Sequence, residues 1–175
     1  ALKDPSDGTV FLLENLRFYA EETGSSKDDN KKKDVNILFP IDFVIANKID
    51  KEPDKVEHVD ATQGIPEDMM GLDHGQASSQ MFAGAICASK TIVWNGPPGL
   101  FENELFSKGT ESMLEAVIGA TNRGATTIVG GGDTATACLK FGGADKVSHV
   151  STGGGASLEL LEGKVLPGVA ALSDA

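Results

Sequence analysis

The chain has 175 residues, a net charge of −11 and 21 glycines. That length suits one domain with a sizeable core, and the acidic balance argues against a nucleic-acid groove or an anionic membrane surface as partner. Cys87 and Cys138 lack Cys-x-x-Cys spacing, no glycosylation sequon occurs, and no apolar run is long enough to span a membrane, so zinc, a disulfide framework and membrane insertion are disfavoured and the cytosol is the expected compartment.

Residues 9–13 (Thr-Val-Phe-Leu-Leu) follow a Pro/Asp/Gly turn signal and read as a buried strand. Polar residues emerge after it, at the strand end where open α/β sheets place ligands. There Arg17 either grips a phosphate or carboxylate with its planar fork or pairs, as a surface arginine, with Glu14 or Glu21. Residues 21–34 are polar and read as loop or linker, and Lys31, Lys32 and Lys33, flanked by aspartates, as solvated surface. Residues 35–46 are apolar and predict a strand with an irregularity at Pro40. Residues 47–68 are charged and turn-rich, a surface excursion compatible with a hairpin, with His58 exposed. Ser78 or Ser79 is then expected to cap a helix with an apolar stripe at Met81, Phe82, Ala85, Ile86 and Ala88. Ala83 and Gly84 would let that helix lie close to a sheet or a flat ligand.

Three strand-to-glycine-turn units come next. Thr91-Ile92-Val93-Trp94 runs into Asn95-Gly96-Pro97-Pro98-Gly99-Leu100-Phe101-Glu102, a turn stiffened by two prolines. An amphipathic helix with Met113, Leu114, Val117 and Ile118 on one face leads to Thr126-Thr127-Ile128-Val129 and Gly130-Gly131-Gly132-Asp133-Thr134. This second turn is either a phosphate site, with Asp133 offering a hard oxygen to Mg²⁺, or a tight turn with Asp133 as a plain N-cap. The third unit runs from residues 146–151 into Thr152-Gly153-Gly154-Gly155-Ala156-Ser157. The tail at 165–172 is expected to dock as a terminal segment. Strands alternating with helices predict a parallel sheet with its turns at one edge, and three such turns favour a phosphate-rich ligand. No G-x-x-x-x-G-K-[ST] and no clean G-x-G-x-x-G occurs.

The stretches Ile92-Val93-Trp94-Asn95-Gly96-Pro97-Pro98-Gly99, Gly130 to Thr136, His149 to Gly163 and Leu12-Leu13-Glu14-Asn15-Leu16-Arg17-Phe18 closely resemble phosphoglycerate kinase. The resemblance implies a doubly wound, Rossmann-like three-layer α/β/α fold, incomplete here relative to the two-domain family fold. It implies reversible phosphoryl transfer between 1,3-bisphosphoglycerate with ADP and 3-phosphoglycerate with ATP, with Mg²⁺, in a cytosolic monomer of glycolysis and gluconeogenesis. By motif, Gly71 would lie at the adenine, Gly96 near base and ribose, and Phe101 and Glu102 on the nucleotide, with Glu102 on the ribose hydroxyls. Gly131, Gly132 and Thr134 would meet the phosphates and Asp133 the Mg²⁺. Gly153, Gly154 and Gly155 would face the transferring phosphoryl group, and Arg17 would bind the phosphoglycerate.

Family enzymes are more than twice this length. The resemblance makes residues 1–34 a fragment of the substrate domain plus a polar linker, and 35–175 the second half of the nucleotide domain. The family's Gly-Gly-Ala-Lys segment, its hinge and most of its basic substrate cluster have no counterpart in this sequence. Little turnover and an unpaired, apolar sheet edge are therefore expected. A non-catalytic nucleotide-binding module, or an unstable fragment of the enzyme, is the alternative.

Overall fold

The structure, a computed structural model, describes the backbone of residues 11–13 and all of residues 36–173. In chain order the elements are β1 (Phe11–Leu13), β2 (Asp42–Ala46), β3 (Val56–Asp60), β4 (Met70–His74), α1 (Gln76–Ala88) and β5 (Thr91–Asn95). A 3₁₀ turn (Glu104–Phe106) leads into α2 (Lys108–Asn122), and β6 (Thr126–Gly130), α3 (Gly132–Lys140), β7 (His149–Ser151), α4 (Gly154–Leu161) and α5 (Pro167–Ala170) complete the fold.

The strands form two sheets. The main sheet is parallel, in the order β1-β5-β6-β7. Helices α2 and α3 connect β5 to β6 and β6 to β7, the crossovers that parallel neighbours require. The doubly wound α/β class expected from the sequence therefore holds. Phe11 pairs with Ile92 and Leu13 with Trp94, so β1 runs parallel along β5 on the side away from β6. Residues 11–13 thus contribute a strand to the same sheet as the glycine turns.

The second sheet is antiparallel, in the order β3-β2-β4. Of the range 47–68, read as a surface excursion or hairpin, only β3 is a strand, and it pairs with β2, which precedes that range. The strand expected over 35–46 begins only at Asp42, after Pro40, and joins this smaller sheet. Strand β4 was not foreseen, because Gly71 and Asp73 depress strand propensity and only pairing with β2 overrides them. A register shift at Val44/Ile45 accommodates the mismatch.

The main core joins Phe82 and Ile86 of α1, Met113, Leu114, Val117 and Ala120 of α2, Ile92, Trp94 and Val129 of the sheet, and Cys138 of α3. Spacings of four along α1 and of three and four along α2 put these side chains on one stripe per helix. Ala88 and Gly84 fall off the α1 stripe and are exposed, and Gly84 has open space around it, so no close approach occurs there. Neither Ser78 nor Ser79 is the N-cap of α1. Gly75 holds that position, and the carboxylate of Asp42 on β2 takes the Ala77 and Ser78 amides at 2.9 and 2.8 Å. The cap is supplied from 35 residues away, which no local signal reveals. The tail does not dock: α5 has no buried residue, and Val165, Val169 and Leu172 are 61–80% exposed.

Candidate functional site

Strands β5, β6 and β7 end side by side, so the turns that follow them meet. At the centre, β6 gives way to Gly131, whose φ of 97° is strained for any residue with a Cβ. Gly131 is the N-cap of α3, and its amide donates to Ser151 O at 3.0 Å, tying the second turn to the third. The first turn is tied in from the other side: the Gly96 amide donates to Thr134 Oγ1 at 2.7 Å. Gly96 also has positive φ, and its carbonyl accepts the Trp94 indole N–H at 2.9 Å.

Glycine is needed at this junction for close approach. A Cβ on Gly154 would sit 2.7 Å from Gly131 Cα and 3.2 Å from Asn95 Oδ1. A Cβ on Gly131 would sit 2.8 Å from that same oxygen. Asn95 therefore projects between the two glycine turns, a position that sequence reasoning missed. Its one signal was a polar residue closing an apolar parallel strand, at the ligand end of the sheet.

The remaining expected residues fall as follows. Gly132 and Asp133 open α3 and are exposed, so Asp133 is a first-turn residue and not the N-cap. Thr134, one residue on, is 1% exposed. Gly153 and Gly155 are exposed on either side of buried Gly154, at the N-terminus of α4. Phe101 is buried and Glu102 exposed, past the prolines of the first turn. Gly71 lies on β4 of the smaller sheet, and the next residue, Leu72, accepts the Leu100 amide at 2.9 Å, so the first turn bridges both sheets. Arg17 lies outside the described residues. The structure thus sets Gly96 on Thr134 and Gly131 against Gly154, and leaves Gly71 joined to them only through residues 96–102.

A buried ionisable pair that the sequence did not flag sits under this bridge. The Asp73 carboxylate accepts the Gly109 amide at 2.7 Å, near the N-terminus of α2, and the His74 amide at 2.9 Å. Loss of solvent outweighs these bonds and pushes its carboxyl up to about 7. Gly99 and Gly109 form its cradle, since a Cβ on either would lie within 2.4 Å of Asp73 Oδ1. His74 is held well below its ordinary value by burial. Its Nδ1 lies 3.2 Å from both Gly75 O and Ser79 Oγ, its Nε2 has no partner, and its ring meets Phe82 edge-on.

A parallel sheet with helical crossovers, its turns gathered at the carboxyl ends of neighbouring strands, defines a doubly wound α/β protein. A family model described as phosphoglycerate kinase matches residues 26–164. The chain belongs to the phosphoglycerate kinase family. It is 52% identical over 159 residues to phosphoglycerate kinase of Debaryomyces hansenii, an alignment covering 88% of this chain and 38% of that one. It is 58% identical over 144 residues to phosphoglycerate kinase 1 of Rattus norvegicus, covering 82% and 34%. The solved phosphoglycerate kinase from Coxiella burnetii superposes with a TM-score of 0.70 at 39% identity, covering 77% of this chain and 34% of that one. The chain thus spans between a third and two fifths of the length of these relatives. Among the described residues no helix is long and apolar enough to cross a membrane.

Proposed function

We propose that this chain carries the Mg-nucleotide site of a phosphoglycerate kinase, the kinase of the glycolytic step linking 1,3-bisphosphoglycerate and ADP to 3-phosphoglycerate and ATP. The observation that carries the reading is the convergence of the Gly96, Gly131–Thr134 and Gly153–Gly155 turns on one sheet edge, with two helices, α3 and α4, starting there. Helix N-termini present unpaired amides and positive dipole ends to an anion. In this reading Gly131, Gly132 and Thr134 hold the phosphates, and Gly153, Gly154 and Gly155 face the group in transfer. Gly71 lies at the adenine and Gly96 near base and ribose, Phe101 and Glu102 contact the nucleotide with Glu102 on the ribose hydroxyls, and Arg17 reaches for the phosphoglycerate.

The donor set fits Mg²⁺ in one mode. No group of three or more His, Cys, Asp or Glu side chains is placed to hold a metal among the described residues. Mg²⁺ keeps several waters and commonly takes only one or two protein carboxylates along with substrate phosphates. Asp133, exposed beside the phosphate turn, suits an ion that arrives with the nucleotide. When bound, the ion would neutralise charge on the phosphate oxygens.

Phosphoryl transfer depends on positioning and on neutralising the charge that develops on the transferring oxygens. The lysine-bearing segment that the family resemblance implies has no counterpart in this sequence, so binding without appreciable turnover is expected of this chain. Calorimetric titration with Mg-ADP tests the site: binding should weaken at least tenfold in Asp133→Ala. Equal affinity of the two proteins would remove Asp133 from the metal role. A coupled assay with 3-phosphoglycerate and ATP tests turnover, and family-like rates would overturn the argument from the missing lysines.

A further inference from the structure

Helix α3 meets the 96–102 turn at both of its ends. At its start, Thr134 Oγ1 accepts the Gly96 amide at 2.7 Å. At its last residue, Lys140 Nζ donates to Phe101 O at 2.6 Å and lies 3.4 Å from Glu102 O. Those two attachments stand about 9 Å apart along the helix axis, from six residues at 1.5 Å rise each. The Lys140 ammonium also lies 5.9 Å from the Phe101 ring and 5.3 Å from the Phe141 ring, within reach of both π-faces.

The choice of partner is informative. Lys140 sits beside Glu102 yet takes main-chain oxygens and not its carboxylate. Among the described residues that carboxylate has no hydrogen-bond or ion-pair partner, and Glu102 is exposed. By holding two successive carbonyls, Lys140 fixes the orientation of the peptide between Phe101 and Glu102, and with it the direction in which the Glu102 side chain leaves the chain. Its place at the far end of α3 from Asp133 separates it from the phosphate turn.

We infer that Lys140 is a positioning residue for the ribose end of the nucleotide, acting through Glu102 and not by contact with the ligand. The inference rests on the Mg-nucleotide reading above. It accounts for a lysine that spends its charge on carbonyls next to an available carboxylate: an ion pair with Glu102 would occupy the acceptor that the ribose hydroxyls require.

The test is calorimetric titration of the full chain with Mg-ADP and with Mg-2′,3′-dideoxy-ADP, which lacks both ribose hydroxyls. Lys140→Met should weaken Mg-ADP roughly tenfold, the scale of a lost charge-assisted bond passed on to one ligand contact. Lys140→Arg should stay within about threefold, because the guanidinium still donates. For the dideoxy nucleotide, Lys140→Met should bind like the unsubstituted chain, and in a Glu102→Gln background it should add little to the loss for Mg-ADP. Lys140→Leu, which likewise removes the donor to the two carbonyls, serves the same purpose if Lys140→Met does not melt cooperatively. An equal loss for both nucleotides, or none for either, overturns the inference while leaving the nucleotide site intact. No binding of Mg-ADP by the unsubstituted chain removes the nucleotide reading and this inference with it.

Discussion

The Gly96 amide and the Thr134 hydroxyl meet at 2.7 Å across 38 residues of chain, one element of the first glycine turn holding the second. Thr134 is almost fully buried. Thr134→Val keeps the shape and deletes the acceptor, so the amide loses its partner. The expected loss is about 1–2 kcal/mol of unfolding free energy, measured by urea titration followed by circular dichroism. Thr134→Ser should recover most of it.

Gly154 and Gly155 are neighbours with opposite tolerance. Gly154→Ala drives a Cβ to 2.7 Å from Gly131 Cα, where only backbone can give way. It should destabilise the chain by about 1–3 kcal/mol and weaken Mg-ADP more than tenfold. Gly155→Ala meets nothing within 4 Å. It should melt within about 0.5 kcal/mol of the unsubstituted chain, or slightly above it, because alanine suits a helix better than glycine. Equal melting of the two variants would mean that the turns do not pack as described.

Gly109→Ala offers a sharper contrast with helix propensity. Alanine for glycine inside a helix ordinarily gains about 1 kcal/mol. Here the added methyl would lie 2.1 Å from Asp73 Oδ1 and 2.8 Å from His74 Cε1. A net loss of at least about 1 kcal/mol is expected from that overpacking, and a thermal melt checks the sign.

Asp73 and His74 should give stability opposing slopes with pH. Asp73 binds its proton more tightly folded, at about 7, than unfolded, near 3.8. Between those values the unfolded state holds fewer protons, so this residue makes stability fall as pH rises. His74, depressed by burial from 6.5, resists protonation when folded. Its contribution is present above about 6.5 and lost as pH falls below it. In the unsubstituted chain the two partly cancel over the acid side of neutrality. His74→Leu should remove one slope and leave a protein whose urea midpoint falls from about pH 5 to pH 7. An unchanged pH profile in that variant would show that His74 does not carry the opposing term.

The parallel part of the fold was legible because β5 and β6 are short apolar runs leading into glycine turns, and the helix between them, α2, carries a clear apolar stripe. Met113, Leu114 and Val117 are in the core as their spacing predicts, and the turns after Asn95, Gly130 and Ser151 follow the strands they were read from. The second sheet was not legible. Its members are irregular in sequence, with Pro40 before β2 and glycine within β4, and pairing between them supplies what propensity does not. The contacts that organise the site are non-local: Asp42 on α1, Asp73 under Gly109, Lys140 on Phe101. A reading confined to neighbouring residues assigns each of these side chains to ordinary surface. The partial cover of the β5 edge by β1 was missed for the same reason, since their separation in the chain hides the pairing.

Trp94 gives the chain an optical property of its own. It is the single tryptophan, its side chain is fully enclosed, and its indole N–H is held by the carbonyl of Gly96. Any displacement of that turn must either break the indole bond or drag the ring with it. Emission from one native fluorophore therefore reads the state of the turn directly, without a label and without a background from other indoles.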